Sequence, residues 1–270
     1  MIKVNGGPVS FQMFRDGSFR AKFDPRGYDE YKLLWKFGGE IETLELFYLV
    51  KHIRDYTKTT PITLRMPYIP EARMDRTRNI EEIFTLKHFA ALLNSLELDR
   101  VEVYDPHSHV SEALINNLKV ITPHNEFELL KTLHPNFIFF YPDEGACKKY
   151  KDIAGKVPYN FSLKEREWAS GHISNLNLYG DPVNFIGKDV IICDDIISRG
   201  NTVYMAAKQI AAYAPAGIYV WVSHCESTVF GPHCDGKSLL DYDFISKVYT
   251  TDSLERTQSH PKIEVIKEFL

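Results

Sequence analysis

Between residues 31 and 122, short apolar runs alternate with longer stretches whose apolar positions recur three and four apart. The runs at 31–37, 62–66, 101–104 and 119–122 read as strands, and the stretches at 41–56, 84–96 and 111–118 as helices. In 41–56, Leu44, Phe47 and Tyr48 share one stripe, with Leu46, Leu49, Val50 and Ile53 beside it. The pattern then starts again, with strands at 137–141, 157–161, 190–193, 217–224 and 244–250 and helices at 146–153 and 203–213. The closing segment 263–270 reads as helical. Strands alternating with helices imply mostly parallel sheets with right-handed crossovers, hence an α/β fold. The restart places a boundary near 123–128, between an N-terminal domain, 1–125, and a C-terminal domain, 126–270.

The run Val190-Ile191-Ile192-Cys193 has no alternation, as expected of a parallel strand covered on both faces. Asp194 and Asp195 follow at its carboxyl end, then the turn Ser198-Arg199-Gly200-Asn201-Thr202 and a helix. Ligands of open α/β sheets bind where strands end and helices begin. Backbone N–H groups at a helix start favour an anion, and a glycine lets it approach. Two carboxylates beside such a turn suit a ligand bearing hydroxyls and a phosphate, although capping of the helix would also account for them.

Other strand ends carry chemistry too. After 62–66 come two prolines and then Arg73, Asp75, Arg76 and Arg78, a loop suited to polyphosphate or simply to solvent. Asp105-Pro106-His107 follows 101–104, and Asp143-Glu144-Gly145-Ala146 follows 137–141. The stretch 162–181 shows little apolar pattern, holds Lys164, Glu165 and Arg166, and is long for a connection, so it reads as functional or disordered. Near the N-terminus, Asp16-Gly17 is a turn signal between β-like flanks, the mark of a hairpin.

Composition narrows the picture. The 270 residues are 44% hydrophobic and 25% charged, ordinary for a globular protein. A net charge of -4 gives no general attraction to nucleic acid or anionic membranes, so any anion site is local. No apolar run approaches a membrane span and the N-terminus is not a signal peptide. Cys147, Cys193, Cys225 and Cys234 form no CxxC pair, which argues against zinc or a disulfide framework and fits a cytoplasmic location.

In this order, the motifs resemble those of the ribose-phosphate pyrophosphokinases, which are related to type I phosphoribosyltransferases. Asp194-Asp195-x-x-Ser198-Arg199-Gly200-Asn201-Thr202 is similar to the family's ribose-phosphate loop Asp-Asp-x-x-Asp-Thr-x-Gly-Thr, with Ser198 in place of Asp and Arg199 in place of Thr. Phe14-Arg15-Asp16-Gly17 resembles the adenine-contacting Phe-Ser-Asp-Gly turn, with Ser18 where the family has Glu. Tyr68 to Arg76 resembles Tyr-Ala-Arg-Gln-Asp-Arg, with Met74 for Gln. Asp105-Pro106-His107 resembles Asp-Leu-His, Asp143-Glu144-Gly145 the Asp-x-Gly segment, and Lys164-Glu165-Arg166 the catalytic-loop Lys-x-Arg.

The resemblance implies two phosphoribosyltransferase-like α/β domains, each a mostly parallel sheet flanked by helices. It implies transfer of a diphosphate from ATP to the C1 hydroxyl of ribose 5-phosphate, releasing AMP, with Mg²⁺ as cofactor. Phe14, Asp16, Arg73, Asp75, Arg76 and His107 would then contact ATP. Asp143, Asp194, Asp195 and residues 198–202 would bind the ribose phosphate, Lys164 and Arg166 would be catalytic, and His107 and Asp143 would lie at the metal. The partners implied are ATP and a ribose 5-phosphate-type acceptor, within a homo-oligomer whose ATP site lies near a subunit interface, and neither nucleic acid nor membrane.

Three alternatives stay open. Arg199 suits an acceptor with a 5-diphosphate, such as ADP-ribose in NAD metabolism. A non-catalytic regulatory paralogue would bind nucleotide or a partner synthetase, but such proteins usually lose Lys164, Arg166 or the Asp194-Asp195 pair. A phosphoribosyltransferase with an unfamiliar N-terminal domain would share the Asp194 loop and consume no ATP.

Overall fold

The computed structural model describes residues 1–166, 173–233 and 236–269, with the backbone alone at 164–166 and 173–176. The chain divides into two units, Met1–Ile121 and Thr122–Phe269. Each is a mostly parallel sheet flanked by helices.

The first unit runs β1 (Ile2–Val4), β2 (Gly7–Pro8), β3 (Phe11–Met13), β4 (Phe19–Ala21), β5 (Tyr31–Trp35), α1 (Ile41–Tyr56), β6 (Ile62–Met66), α2 (Thr85–Asn94), β7 (Arg100–Tyr104), α3 (Val110–Leu114) and β8 (Leu118–Ile121). The main sheet has the order β2-β1-β5-β6-β7-β8, parallel from β5 to β8 and antiparallel at β1 and β2. Alternation along β6 sends Ile62, Leu64 and Met66 to one face and Arg65 to the other. The apolar face meets Leu46, Leu49, Val50 and Ile53 of α1 and Leu86, Phe89, Ala90 and Leu93 of α2. Strands β3 and β4 form the expected hairpin, closed through Gly17 at φ +86°.

The second unit runs α4 (His124–Leu133), β9 (Phe137–Tyr141), α5 (Glu144–Ala154), β10 (Tyr159–Arg166), β11 (Ile173–Tyr179), β12 (Asp189–Ile197), α6 (Asn201–Ala211), β13 (Gly217–Cys225), β14 (Lys247–Thr251) and β15 (Ile263–Lys267). The sheet order is β11-β10-β9-β12-β13-β14-β15, and only β11 is antiparallel to its neighbour. Both faces are covered, as the unbroken apolar run in β12 requires. Val190 and Ile192 join the core beneath Val203, Ala206, Ala207 and Ile210 of α6. Ile191 and Cys193 join the opposite core with Phe127 and Leu130 of α4 and Ala146, Cys147 and Tyr150 of α5.

Several expectations need correction. The tail 263–267 is strand β15, parallel to β14, and not a helix. Its Ile-Glu-Val-Ile sequence is β-branched and alternating, which suits an edge strand better than a helix. The stretch 162–181 is not an unpatterned connection, because β10 and β11 pair antiparallel across it from Phe161↔Tyr179 to Arg166↔Ile173. The strand signal lies in Asn175-Leu176-Asn177-Leu178, whose period of two is hidden beside a charged run. Strand β12 extends past Cys193 to Ile197, so Asp194 and Asp195 lie within it rather than after it. Helix α4 occupies a segment for which the apolar pattern predicts no element. It turns only Phe127 and Leu130 of its apolar residues fully inward, too few for a clear period.

Candidate active site

In the first unit, β6 and β7 are adjacent and parallel, so the loops that follow them share one sheet edge. The loop after β6 carries Arg73, Asp75 and Arg76, and that after β7 carries His107. Arg73, Arg76 and His107 are exposed, while Asp75 is half-buried with the Arg76 Nε 3.4 Å from its Oδ1. Two non-glycine residues with left-handed backbone mark these loops, Glu71 at φ 63° and Asp105 at φ 46°. Asp105 is buried at the end of β7, and its N–H donates to the Ile121 carbonyl at 2.9 Å. Such conformations cost on the order of 1–3 kcal/mol each and gather at ligand sites.

Phe14 and Asp16 lie in the turn of the β3–β4 hairpin. Asp16 Oδ1 accepts from the Ser18 hydroxyl at 2.7 Å and from the Ser18 N–H at 3.0 Å. The Ser18 hydroxyl and then its N–H hold the Asp16 carboxyl below its usual range. Ser18 therefore shapes the turn from the position where the motif has Glu. Phe14 is 50% exposed.

In the second unit the sequence of connections reverses at one point. From β9 the chain moves to β10 through α5, whereas from β12 it moves the other way, to β13 through α6. The crevice between the carboxyl ends of β9 and β12 is thus a topological switch point, where open α/β sheets take their ligands. Asp143 follows β9, and Asp194 and Asp195 lie in the carboxyl-terminal half of β12. Asp143 caps α5, its Oδ1 accepting from the Ala146 N–H at 2.8 Å.

Strand alternation sends Asp194 and Asp195 to opposite faces of β12. Asp194 Oδ1 accepts from the Asp195 N–H at 2.9 Å. Asp195 is buried, and Lys149 of α5 brings its Nζ to 4.0 Å from the Asp195 Oδ2. The sequence gives no direct sign of Lys149, which lies in an ordinary lysine-rich helix; only its place in the second turn after Asp143 hints at a role.

The turn 198–200 leads into α6. Gly200 sits at φ 84°, and a Cβ there would lie 2.8 Å from Leu239 Cδ2. Conformation and space both demand glycine at this position. Asn201 and Thr202 open the helix, where the first N–H groups have no intrahelical carbonyl to bond. Arg199 and Asn201 are exposed, and Thr202 is half-buried. Ser198 Oγ lies 3.0 Å from Thr228 Oγ1, and Thr228 donates to Glu226 Oε2 at 2.9 Å. Glu226 is tied to the same strand, its N–H donating to the Ile197 carbonyl at 2.9 Å. Thr228 and Glu226 escape sequence reading because they follow β13, far along the chain from Ser198.

Lys164 and Arg166 lie on β10, opposite Leu176 and Ile173 of β11. Strand β10 pairs with β9 only through Phe161, and beyond that it is paired with β11 alone. The two cations are thus carried on a two-stranded arm, and residues 167–172 lie outside the described residues. The buried Ser162 hydroxyl anchors the base of the arm by donating to the Pro142 carbonyl at 2.9 Å, one residue before Asp143.

Among the described residues, no three His, Cys, Asp or Glu side chains converge as a metal cage. None of their helices is long and apolar enough to cross a membrane.

No protein-family model matches the chain. It is 27% identical over 207 residues to the ribose-phosphate pyrophosphokinase of Saccharolobus solfataricus, covering 74% of this chain and 70% of that protein. Against the ribose-phosphate pyrophosphokinase of Sulfurisphaera tokodaii it is 30% identical over 175 residues, 63% of this chain and 58% of that one. The Bacillus subtilis ribose-phosphate pyrophosphokinase matches over 277 aligned residues at 24% identity, with 99% of this chain and 84% of its own length covered. Among solved structures, the phosphoribosylpyrophosphate synthetase of Mycobacterium smegmatis superposes with a TM-score of 0.79 at 20% identity, over 96% of this chain and 86% of that one. The matched lengths, the shared fold and the motifs at the strand ends together make the chain similar to the ribose-phosphate pyrophosphokinases, which are enzymes, over most of its length.

Proposed function

We propose that the protein transfers the β,γ-diphosphate of ATP to the C1 hydroxyl of a 5-phosphorylated ribose, by default ribose 5-phosphate, and releases AMP. The observation that carries this reading is the switch point of the second unit. It sets Asp143, Asp194, Asp195 and the turn 198–202 on neighbouring strand ends. The carboxylates suit hydroxyls, which donate, and the N–H groups opening α6 suit the 5-phosphate, which accepts. Arg73 and Arg76 suit the phosphates of ATP, with Asp75 orienting Arg76, and Phe14 and Asp16 suit its base.

In the reaction, the C1 oxygen of the sugar attacks the β-phosphorus, the bond to the α-phosphate oxygen breaks and AMP leaves. The hydroxyl proton passes to solvent or a nearby base. Charge spreads over the phosphoryl oxygens, so positioned cations contribute most of the catalysis. Lys164 and Arg166 suit that role, since the β10–β11 arm starts beside the Asp143 loop. Mg²⁺ would neutralise the phosphates. It commonly takes one or two protein carboxylates and completes its shell with phosphate and water oxygens. A carboxylate such as Asp143 fits that demand, and His107, in the first unit, suits a phosphate of ATP. The chain would act as a homo-oligomer with the exposed Phe14 turn reaching a neighbouring subunit's nucleotide.

Arg199 gives the acceptor its one open choice, because an exposed guanidinium at the start of α6 also suits the second phosphate of ADP-ribose. Incubation with ATP and each sugar, followed by product separation, tests the reading. AMP with a sugar 1-diphosphate is expected; ADP, or no turnover with either acceptor, contradicts it.

A further inference from the structure

The Ser198–Thr228–Glu226 chain has only one consistent arrangement of protons. A carboxylate can only accept, so the Thr228 hydroxyl gives its single proton to Glu226 Oε2, at 2.9 Å. Thr228 Oγ1 then has lone pairs alone to offer Ser198. The 3.0 Å contact between the two hydroxyls therefore requires Ser198 to be the donor. With its proton committed, Ser198 presents lone pairs to a ligand.

We infer that Glu226, acting through Thr228, fixes Ser198 as a hydrogen-bond acceptor, so that this position reads a sugar hydroxyl and not a phosphate oxygen. The inference rests on the acceptor site proposed above and assigns the work within it. The family motif has Asp at this position, itself an acceptor. Here the negative charge lies two hydroxyls away, on Glu226, and the acceptor character is passed along the chain. The phosphate is left to the N–H groups of the turn and α6. Glu226 and Thr228 are positioning residues. They stand on the loop after β13, which is held to the loop after β14 by the Ser227 hydroxyl, an acceptor for the Thr257 N–H at 2.9 Å.

The test measures affinity for inorganic phosphate and for ribose 5-phosphate by calorimetry, using the full chain and its Thr228→Val and Thr228→Ser variants. Valine keeps the shape and removes the acceptor. Ser198 is then released to donate, and phosphate should bind about threefold to tenfold tighter. The preference for ribose 5-phosphate over phosphate should fall by at least as much. Thr228→Ser should restore wild-type values, and in a Ser198→Ala background Thr228→Val should change neither affinity. A merely structural role would weaken both ligands together, and that result, or no change, overturns the inference while leaving the acceptor site standing. Failure of the wild-type chain to bind either probe overturns the acceptor site and the inference with it.

Discussion

Lys149 Nζ stands 4.0 Å from Asp195 Oδ2, linking the second turn of α5 to the end of β12. Asp195 is 6% exposed, so its charge relies on nearby compensation. Lys149→Met keeps the aliphatic length and removes the charge. We expect a loss of about 1–3 kcal/mol in urea unfolding, together with weaker ribose 5-phosphate binding. Wild-type values in both measurements would show that Lys149 does not support Asp195.

The arm makes a separable prediction. Lys164→Ala and Arg166→Ala should each lower kcat by on the order of a hundredfold or more, with unchanged far-ultraviolet circular dichroism and Tm. Beyond Phe161 their strand pairs with β11 alone, so the loss should not spread into the sheet. Undiminished turnover in both variants would remove the arm from the mechanism.

Gly200 should tolerate nothing larger. Gly200→Ala puts a Cβ at φ 84° and 2.8 Å from Leu239. We expect about 1–3 kcal/mol of destabilisation and a raised KM for the sugar. Leu239→Ala makes room without relieving the backbone, so it should rescue only part of the loss.

These residues show how unevenly the sequence discloses the candidate site. Most strands and the helices α1, α2, α5 and α6 follow from apolar periodicity, because a two-faced core leaves a strong pattern. Asp143, Asp194 and Ser198 are legible because strand ends and turn residues are local signals. Lys149, Thr228 and Glu226 are not legible, since their meaning arises only when strands distant in sequence become neighbours. The β10–β11 arm escapes notice for another reason: the period of two in Asn175-Leu176-Asn177-Leu178 is short and stands near a charged run. Helix α4 shows the same limit, because it buries only part of one stripe.

Alkaline titration tests the packing of the second unit. Burial pushes the Cys225 thiol from 9.0 up to about 12. A folded pKa above the unfolded one means stability that is complete below pH 9 and is lost as pH rises towards 12. Within that window the slope should approach 1.36 kcal/mol per pH unit for this thiol. Cys225→Ala should flatten the alkaline limb, measured by urea unfolding between pH 8 and about pH 11. An unchanged slope would mean that Cys225 does not govern it.

Arg199 should decide between acceptors. A charge-assisted hydrogen bond to a second phosphate is worth about 1.5–3 kcal/mol, roughly tenfold to a hundredfold in binding. If it is made, Arg199→Thr should weaken use of ADP-ribose and spare or improve use of ribose 5-phosphate. Equal changes in kcat/KM for both would show that Arg199 does not select the 5-substituent.

Where the β-phosphorus of ATP ends up decides whether the protein transfers a diphosphate. With ATP labelled at the β-phosphorus, Mg²⁺ and ribose 5-phosphate, the label should leave with the sugar while unlabelled AMP accumulates in equal amount. Label retained in ADP would mean transfer of the γ-phosphoryl group alone and would exclude diphosphate transfer.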